Sequence, residues 1–185
     1  MIEASDLREG TTFEMEGELY EVVEYRHTHI ARGSADVRVK LRNLRTGVIT
    51  ERTFSPDERF NDFRLELREV QYLYNDGEFY YFMDTETYEQ PVLPAKALGE
   101  AVNYLKENMT LHIATYEGEP LRVELPTTVD LEVIEAPPGF AGDTATGATK
   151  QVTLETGLKL QVPLFIEKGD VVRVDTRTGE YVTRV

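Results

Sequence analysis

Seven basic side chains crowd one short stretch of an otherwise acidic chain. They are Arg26, Arg32, Arg38, Lys40, Arg42, Arg45 and Arg52, and between Arg26 and Arg52 only Asp36 and Glu51 oppose them. The local charge is therefore +5, which leaves −19 for the rest of a chain whose total is −14. Guanidinium and ammonium groups at that density suit phosphate, because each neutralised phosphate releases a counterion. The acidic total argues against nucleic acid, but the distribution describes a polarised molecule. One face can meet RNA while the remaining charge serves solubility or rejects wrong partners. Within the same stretch His27 and His29 form an H-x-H pair able to ligate a metal. With no third histidine near in sequence and no cysteine, packing or RNA contact is the expected role and no metal is expected.

Catalytic chemistry finds little material. The three serines, Ser5, Ser34 and Ser55, stand outside any G-x-S-x-G elbow. Paired carboxylates are abundant, yet among 34 acids that carries no geometry. Gly142, Asp143, Thr144 and Gly147 give a loop that superficially suggests phosphate binding. It lacks the Walker lysine spacing and a strand-to-helix setting, so it reads as a turn-rich connector. Neither catalysis nor a bound cofactor is expected.

The elements that must position the basic residues follow from period-two alternation. Leu19 to Tyr25 reads LYEVVEY and Val37 to Arg42 reads VRVKLR. In the second run Val37, Val39 and Leu41 face a core, and Arg38, Lys40 and Arg42 line the opposite face. That face is either a wet barrel surface or a set of RNA-backbone contacts. Between the runs, Ala31-Arg32-Gly33-Ser34 reads as a hairpin tip, where Gly33 can adopt positive φ. Arg32 then stands at the end of a protruding two-stranded arm, as a solvated turn residue or as a phosphate contact.

Thr46-Gly47 makes a second turn before a strand from Val48 to Phe54. Ser55-Pro56-Asp57-Glu58 has the form of a capping box with proline at the first helical position, and predicts one short helix ending near Asp62. Strands follow at Leu65 to Tyr74 and Phe79 to Asp84, around the hairpin signal Asn75-Asp76-Gly77. Pro94 opens the best helix candidate, with Leu98, Val102, Leu105 and Met109 near helical spacing and Gly99 weakening it. Strands resume at Leu111 to Ala114, Leu121 to Leu125 and Val129 to Glu135. A Gly/Pro/Thr-rich loop, 136–149, precedes strands around Val152, Leu158 to Pro163 and Val171 to Asp175, with turns at Thr156-Gly157 and Thr178-Gly179. Many short strands with one or two small helices predict small β-barrels.

Composition changes near residues 64 and 127 suggest three segments, with charges of −3, −8 and −3. The middle one is too acidic for the main RNA surface. Its cluster of Tyr72, Tyr74, Phe79, Tyr80, Tyr81 and Phe82 is therefore expected to be core rather than a base-stacking platform. No cysteines, no visible signal peptide and no apolar run approaching about 20 residues point to a cytoplasmic address without a membrane.

These residues resemble the bacterial elongation factor P family along essentially the whole chain. The match runs through HIARGSADVRVKLRNLRTG and ERTFSPDERF, then VQYLYNDGEFYYFMDTETYEQ, then GDTATGATKQVTLETGLKLQVPLFIEKGDVVRVDTRTGEYVTR. The last block, more than 40 residues long, is the most specific. It departs from the family at Gln151-Val152, where Pro-Ala is more usual, which reads as drift on a strand edge. The resemblance implies a mainly β protein of three small barrels in an L-shaped, tRNA-like arrangement. They are an SH3-like (KOW) domain over 1–64 and OB-fold domains over 65–127 and 128–185.

It further implies a monomeric, non-enzymatic partner of the ribosome, peptidyl-tRNA and ribosomal RNA, bound between the peptidyl-tRNA and exit sites. There the family stabilises the CCA end of peptidyl-tRNA and relieves stalling at consecutive prolines. The tip is Arg32, flanked by Ala31, Gly33 and Ser34, so lysine-directed additions are excluded here. Some arginine-tip members carry rhamnose, which makes Arg32 a candidate for an arginine-modifying glycosyltransferase. By the same resemblance the Gly142-Asp143-Thr144 loop with Gly147 approaches the exit-site codon at the small subunit. The elongation-factor-P-like paralogue shares the three-domain plan, and the C-terminal block favours the main factor. A free-standing OB-type RNA chaperone or single-strand binder is the alternative from another class, separable by preference for ribosomes carrying peptidyl-tRNA over naked RNA.

Overall fold

The computed structural model describes residues 1–28, 35–139 and 148–185. Three antiparallel sheets make up three β domains, and the chain groups into two compact units, Met1–Leu67 with Ala114–Arg122 and Arg68–Ile113 with Val123–Val185.

In the first unit the strands are β1 (Ile2–Glu3), β2 (Thr12–Met15), β3 (Glu18–Thr28), β4 (Asp36–Asn43), β5 (Ile49–Phe54) and β6 (Arg59–Phe63). Their order in the sheet is β1-β6-β2-β3-β4-β5. The alternation in VRVKLR holds: Val37, Val39 and Leu41 are buried while Arg38 and Lys40 are exposed. They pack with Phe13, Tyr20, Val22, Phe54 and Phe60 in one core.

The short helix expected from Ser55 to Asp62 is instead a turn followed by β6. Half of the capping box forms, since the Ser55 amide donates to Glu58 Oε1 at 3.3 Å. A helix would then need the Pro56 and Glu58 carbonyls for its own ladder. Those carbonyls accept from the Ser5 and Ala4 amides at 3.1 and 2.8 Å, so the ladder has no acceptors left there. Phe60, with its ring centroid 4.8 Å from those of Phe13 and Phe54, is better buried on a strand.

Residues 114–122 complete this unit through a small apolar cluster of Leu19, Leu44 and Leu121 with Phe63, Leu65 and Tyr116. Arg122 donates to Glu21 at 2.5 Å, and Arg45 forks onto both oxygens of Glu119 at 3.1 and 3.2 Å. A bidentate fork of this kind fixes orientation as well as proximity.

The middle sheet has the order β11-β10-β7-β8-β9, from β7 (Glu66–Asn75), β8 (Phe79–Asp84), β9 (Val92–Pro94), β10 (Thr110–Tyr116) and β11 (Glu119–Glu124). The Asn75-Asp76-Gly77 signal does turn the chain. The Asp76 carboxylate accepts from the Glu78 and Phe79 amides, and Gly77 sits at φ +93°. The helix expected from Pro94 is only α1 (Ala95–Leu98), continued by a 3-10 segment over Gly99–Tyr104. Gly99, at φ +56° and ψ −129°, breaks the α-helical ladder in a conformation that side chains disfavour. Leu98 and Leu105 still reach the middle core, whereas Tyr104 joins the C-terminal one.

The third sheet has the order β14-β13-β12-β15-β16, from β12 (Thr128–Glu135), β13 (Thr149–Leu154), β14 (Lys159–Pro163), β15 (Val171–Asp175) and β16 (Tyr181–Arg184). Leu131, Val133, Val152, Leu154, Val162, Val172 and Val174 fill its interior. Gln151 lies opposite Gln161, and β13 has neighbours on both sides. On the β12 side β13 is paired at Thr153 and Leu154, so the departure at Gln151-Val152 lies just beyond that pairing, with Gln151 exposed and Val152 in the core.

Candidate nucleic-acid interface

The β3–β4 hairpin carries the basic face, and its register decides which charges are available. Opposite pairs run Glu21↔Arg42, Glu24↔Lys40 and Arg26↔Arg38, ending at Thr28↔Asp36. On the other side of β4, Lys40 faces Glu51 and Arg38 faces Thr53. Opposite partners on one sheet face are close enough to interact, and the ion pairs follow this pattern. Lys40 Nζ lies 3.2 Å from Glu24, Arg26 lies 2.9 Å from the same carboxylate, and Arg42 lies 3.7 Å from Glu21.

The sequence count of +5 therefore overstates the open charge. Glu21 and Glu24 precede Arg26 on β3, and the hairpin brings Arg42 and Lys40 on β4 back beside them. Lys40 and Arg42 are partly compensated, each sharing its carboxylate with a second cation, Arg26 on Glu24 and Arg122 on Glu21. Arg38 has no ion pair among the described residues, and it faces another cation, Arg26. Like charges placed directly opposite destabilise a sheet by some tenths of a kcal/mol.

The hydrogen bond from Lys40, its charge and the charge of Arg26 hold the Glu24 carboxyl below its ordinary value. A shallow cleft of about 210 Å³ opens on this face, lined by Glu24, Arg26, Thr28, Arg38, Lys40 and Glu51. It can take an anionic oxygen between Arg26 and Arg38, with Glu24 and Glu51 limiting how much negative charge is welcome.

Ala31, Arg32, Gly33 and Ser34 lie outside the described residues, as do His29 and Gly142, Asp143, Thr144 and Gly147. Among the described residues no group of three His, Asp or Glu side chains could hold a metal ion, and no helix is long and apolar enough to cross a membrane. The Glu21–Arg122 pairing escaped sequence reasoning, because 101 residues separate the partners. The aromatic cluster divides. Tyr72 and Phe82 are buried, while Tyr74 and Phe79 are 51% and 37% exposed, so the expectation of core holds for only part of it.

Comparison with known families covers this scaffold from end to end. The elongation factor P KOW-like domain matches residues 3–60, the elongation factor P OB domain 65–123, and the elongation factor P C-terminal domain 129–184. The chain belongs to the elongation factor P family. It is 56% identical over 184 residues to the elongation factor P of Moorella thermoacetica, and 55% identical over 185 residues to that of Caldanaerobacter subterraneus subsp. tengcongensis. All of both chains is covered in each case. Among solved structures, a eukaryotic translation initiation factor 5A from Methanococcus jannaschii superposes with a TM-score of 0.51 at 22% identity. It covers 66% of this chain and 94% of its own, and supports the fold alone. Elongation factor P is a family of translation elongation factors.

Proposed function

We propose that this chain binds the ribosome between the peptidyl-tRNA and exit-tRNA sites and promotes peptide-bond formation at consecutive prolines. In this reading β3 and β4 carry Arg32 to the CCA end of peptidyl-tRNA. Ala31, Gly33 and Ser34 flank Arg32 in this contact, and Arg38, Lys40 and Arg42 meet RNA backbone. The observation that carries the reading is the outward pair Arg26 and Arg38, held side by side on the hairpin with only one of them ion-paired among the described residues.

The guanidinium of Arg32 stays protonated, so it supplies no proton transfer. Its contribution is positional. Holding the CCA end restricts the peptidyl ester to orientations open to attack, an effect that can supply several kcal/mol. The factor is accessory to the ribosomal peptidyl transferase and needs no cofactor. The Gly142-Asp143-Thr144 segment with Gly147 meets the exit-site codon region of the small subunit. The modules run over 1–64, 65–127 and 128–185. Arg32 is the position for rhamnose where an arginine-directed glycosyltransferase is present, and the protein works as a cytoplasmic monomer.

Chemical probing of ribosomes stalled on consecutive prolines tests the placement. The full chain is expected to protect the CCA nucleotides of peptidyl-tRNA, and Arg32→Ala is expected to bind but leave them reactive. Equal protection by both proteins would refute the assignment of Arg32.

A further inference from the structure

Strand β8 reads FYYFMD and is apolar toward both faces of the middle sheet. Its inner residues, Tyr80 and Phe82, pack on Tyr72 in the core. Of the outer ones, Phe79 is exposed and Tyr81 and Met83 are half-buried. A bulge between Tyr72 and Tyr74 shifts the register so that Tyr74 faces Tyr81, and Tyr81 in turn faces Val92. Without the extra residue, Tyr74 would share the buried face of Tyr72. The backbone thus aims this ring at solvent, the kind of redirection for which bulges are retained.

The rings of Tyr74 and Tyr81 stack at 4.5 Å with 14° between their planes. Val92 is 40% exposed and Phe79 is 37% exposed. At the rim, Asp76 accepts from the Tyr81 hydroxyl at 3.0 Å and from two backbone amides, which hold it ionised and oriented. An aromatic face beside a fixed carboxylate suits a guanidinium, which stacks on the ring through its plane and forks to the carboxylate through its edge. The −8 charge of residues 65–127 repels a phosphate backbone and attracts a basic polypeptide.

We propose that the Tyr74–Tyr81 face with Asp76 is a docking surface for an arginine-bearing segment of a basic protein, separate from the RNA-directed hairpin. The test is a titration of the full, isotope-labelled chain at physiological salt with three probes of equal length. These are a peptide alternating arginine and glycine, its lysine counterpart, and oligouridylate. The arginine peptide is expected to shift the amides of residues 74–81 and Val92 and to bind more tightly than the lysine peptide. Tyr74→Ser is expected to weaken it about two- to fivefold, the size of an exposed cation–π contact. Asp76→Asn, which conserves shape, is expected to weaken it as well. Equal binding of the two peptides together with indifference to Tyr74→Ser would reduce the attraction to bulk charge and overturn the proposal. Stronger shifts of the same amides by oligouridylate would overturn it in favour of a nucleic-acid platform.

Discussion

Arg26 and Arg38 stand directly opposite one another on β3 and β4, two cations in a register that would favour a cation facing an acid. Two residues along, the same hairpin pairs Glu24 with Lys40 in the favourable manner. The unfavourable pair is confined to the part of the hairpin nearer Arg32. Such a conflict between local stability and sequence is what a functional or strained site is expected to show.

Arg38→Gln is expected to leave folding intact and to raise stability by some tenths of a kcal/mol through relief of the like-charge pair. It should weaken ribosome binding and lower the salt slope of the binding constant by about one. Lys40→Gln should change that slope less, because Glu24 already engages Lys40. A binding titration across salt concentration separates the two.

Glu24→Gln acts in the opposite direction. Freed of the carboxylate, Lys40 and Arg26 become available to phosphate, so affinity for RNA is expected to rise and its salt dependence to steepen. Filter binding with the wild type and variant in parallel reads both effects.

Glu21 receives Arg122 at 2.5 Å and Arg42 at 3.7 Å, with its side chain only 12% exposed. Arg122→Ala is expected to lose about 1–2 kcal/mol of unfolding free energy, since a charged hydrogen bond is removed while Arg42 remains. Urea denaturation of Arg122→Ala, Glu21→Gln and the double variant should show losses smaller than additive.

Asp84 is buried at 5% exposure and accepts from the Glu86 and Thr87 amides, which together with Arg68 hold its carboxyl below the usual aspartate range. A depressed folded pKa contributes stability that is present above the unfolded value and lost as pH falls through the folded one. Asp84→Asn is therefore expected to flatten the acid limb of the stability curve as pH falls below the ordinary aspartate range. Thermal denaturation across that range checks it, and an unchanged acid limb would assign the loss to other carboxylates.

Much of the scaffold was legible because its strands are half-buried and their alternation is regular. VRVKLR is the clearest case, and the Asn75-Asp76-Gly77 turn the next. The failures share one cause, which is that local signals were outvoted by partners distant in sequence. Ser55 and Glu58 do form part of their cap, yet Ala4 and Ser5 take the carbonyls a helix would use. The charge count missed Glu24 because pairing across a hairpin cannot be seen from a window that starts at Arg26. The bulge that exposes Tyr74 leaves no period in the sequence by which to find it. A similar non-local demand governs Gly139, where a Cβ would stand 2.7 Å from the Leu164 carbonyl oxygen.

The central claim is that one guanidinium, at residue 32, accelerates an unfavourable peptide bond by holding its substrate. Rapid-quench measurement of the bond joining the second and third prolines of a short message reads this directly. The wild-type chain should raise the rate, Arg32→Ala should bind the ribosome without raising it, and a message lacking prolines should respond to neither. Full acceleration by Arg32→Ala at saturating concentration would contradict it.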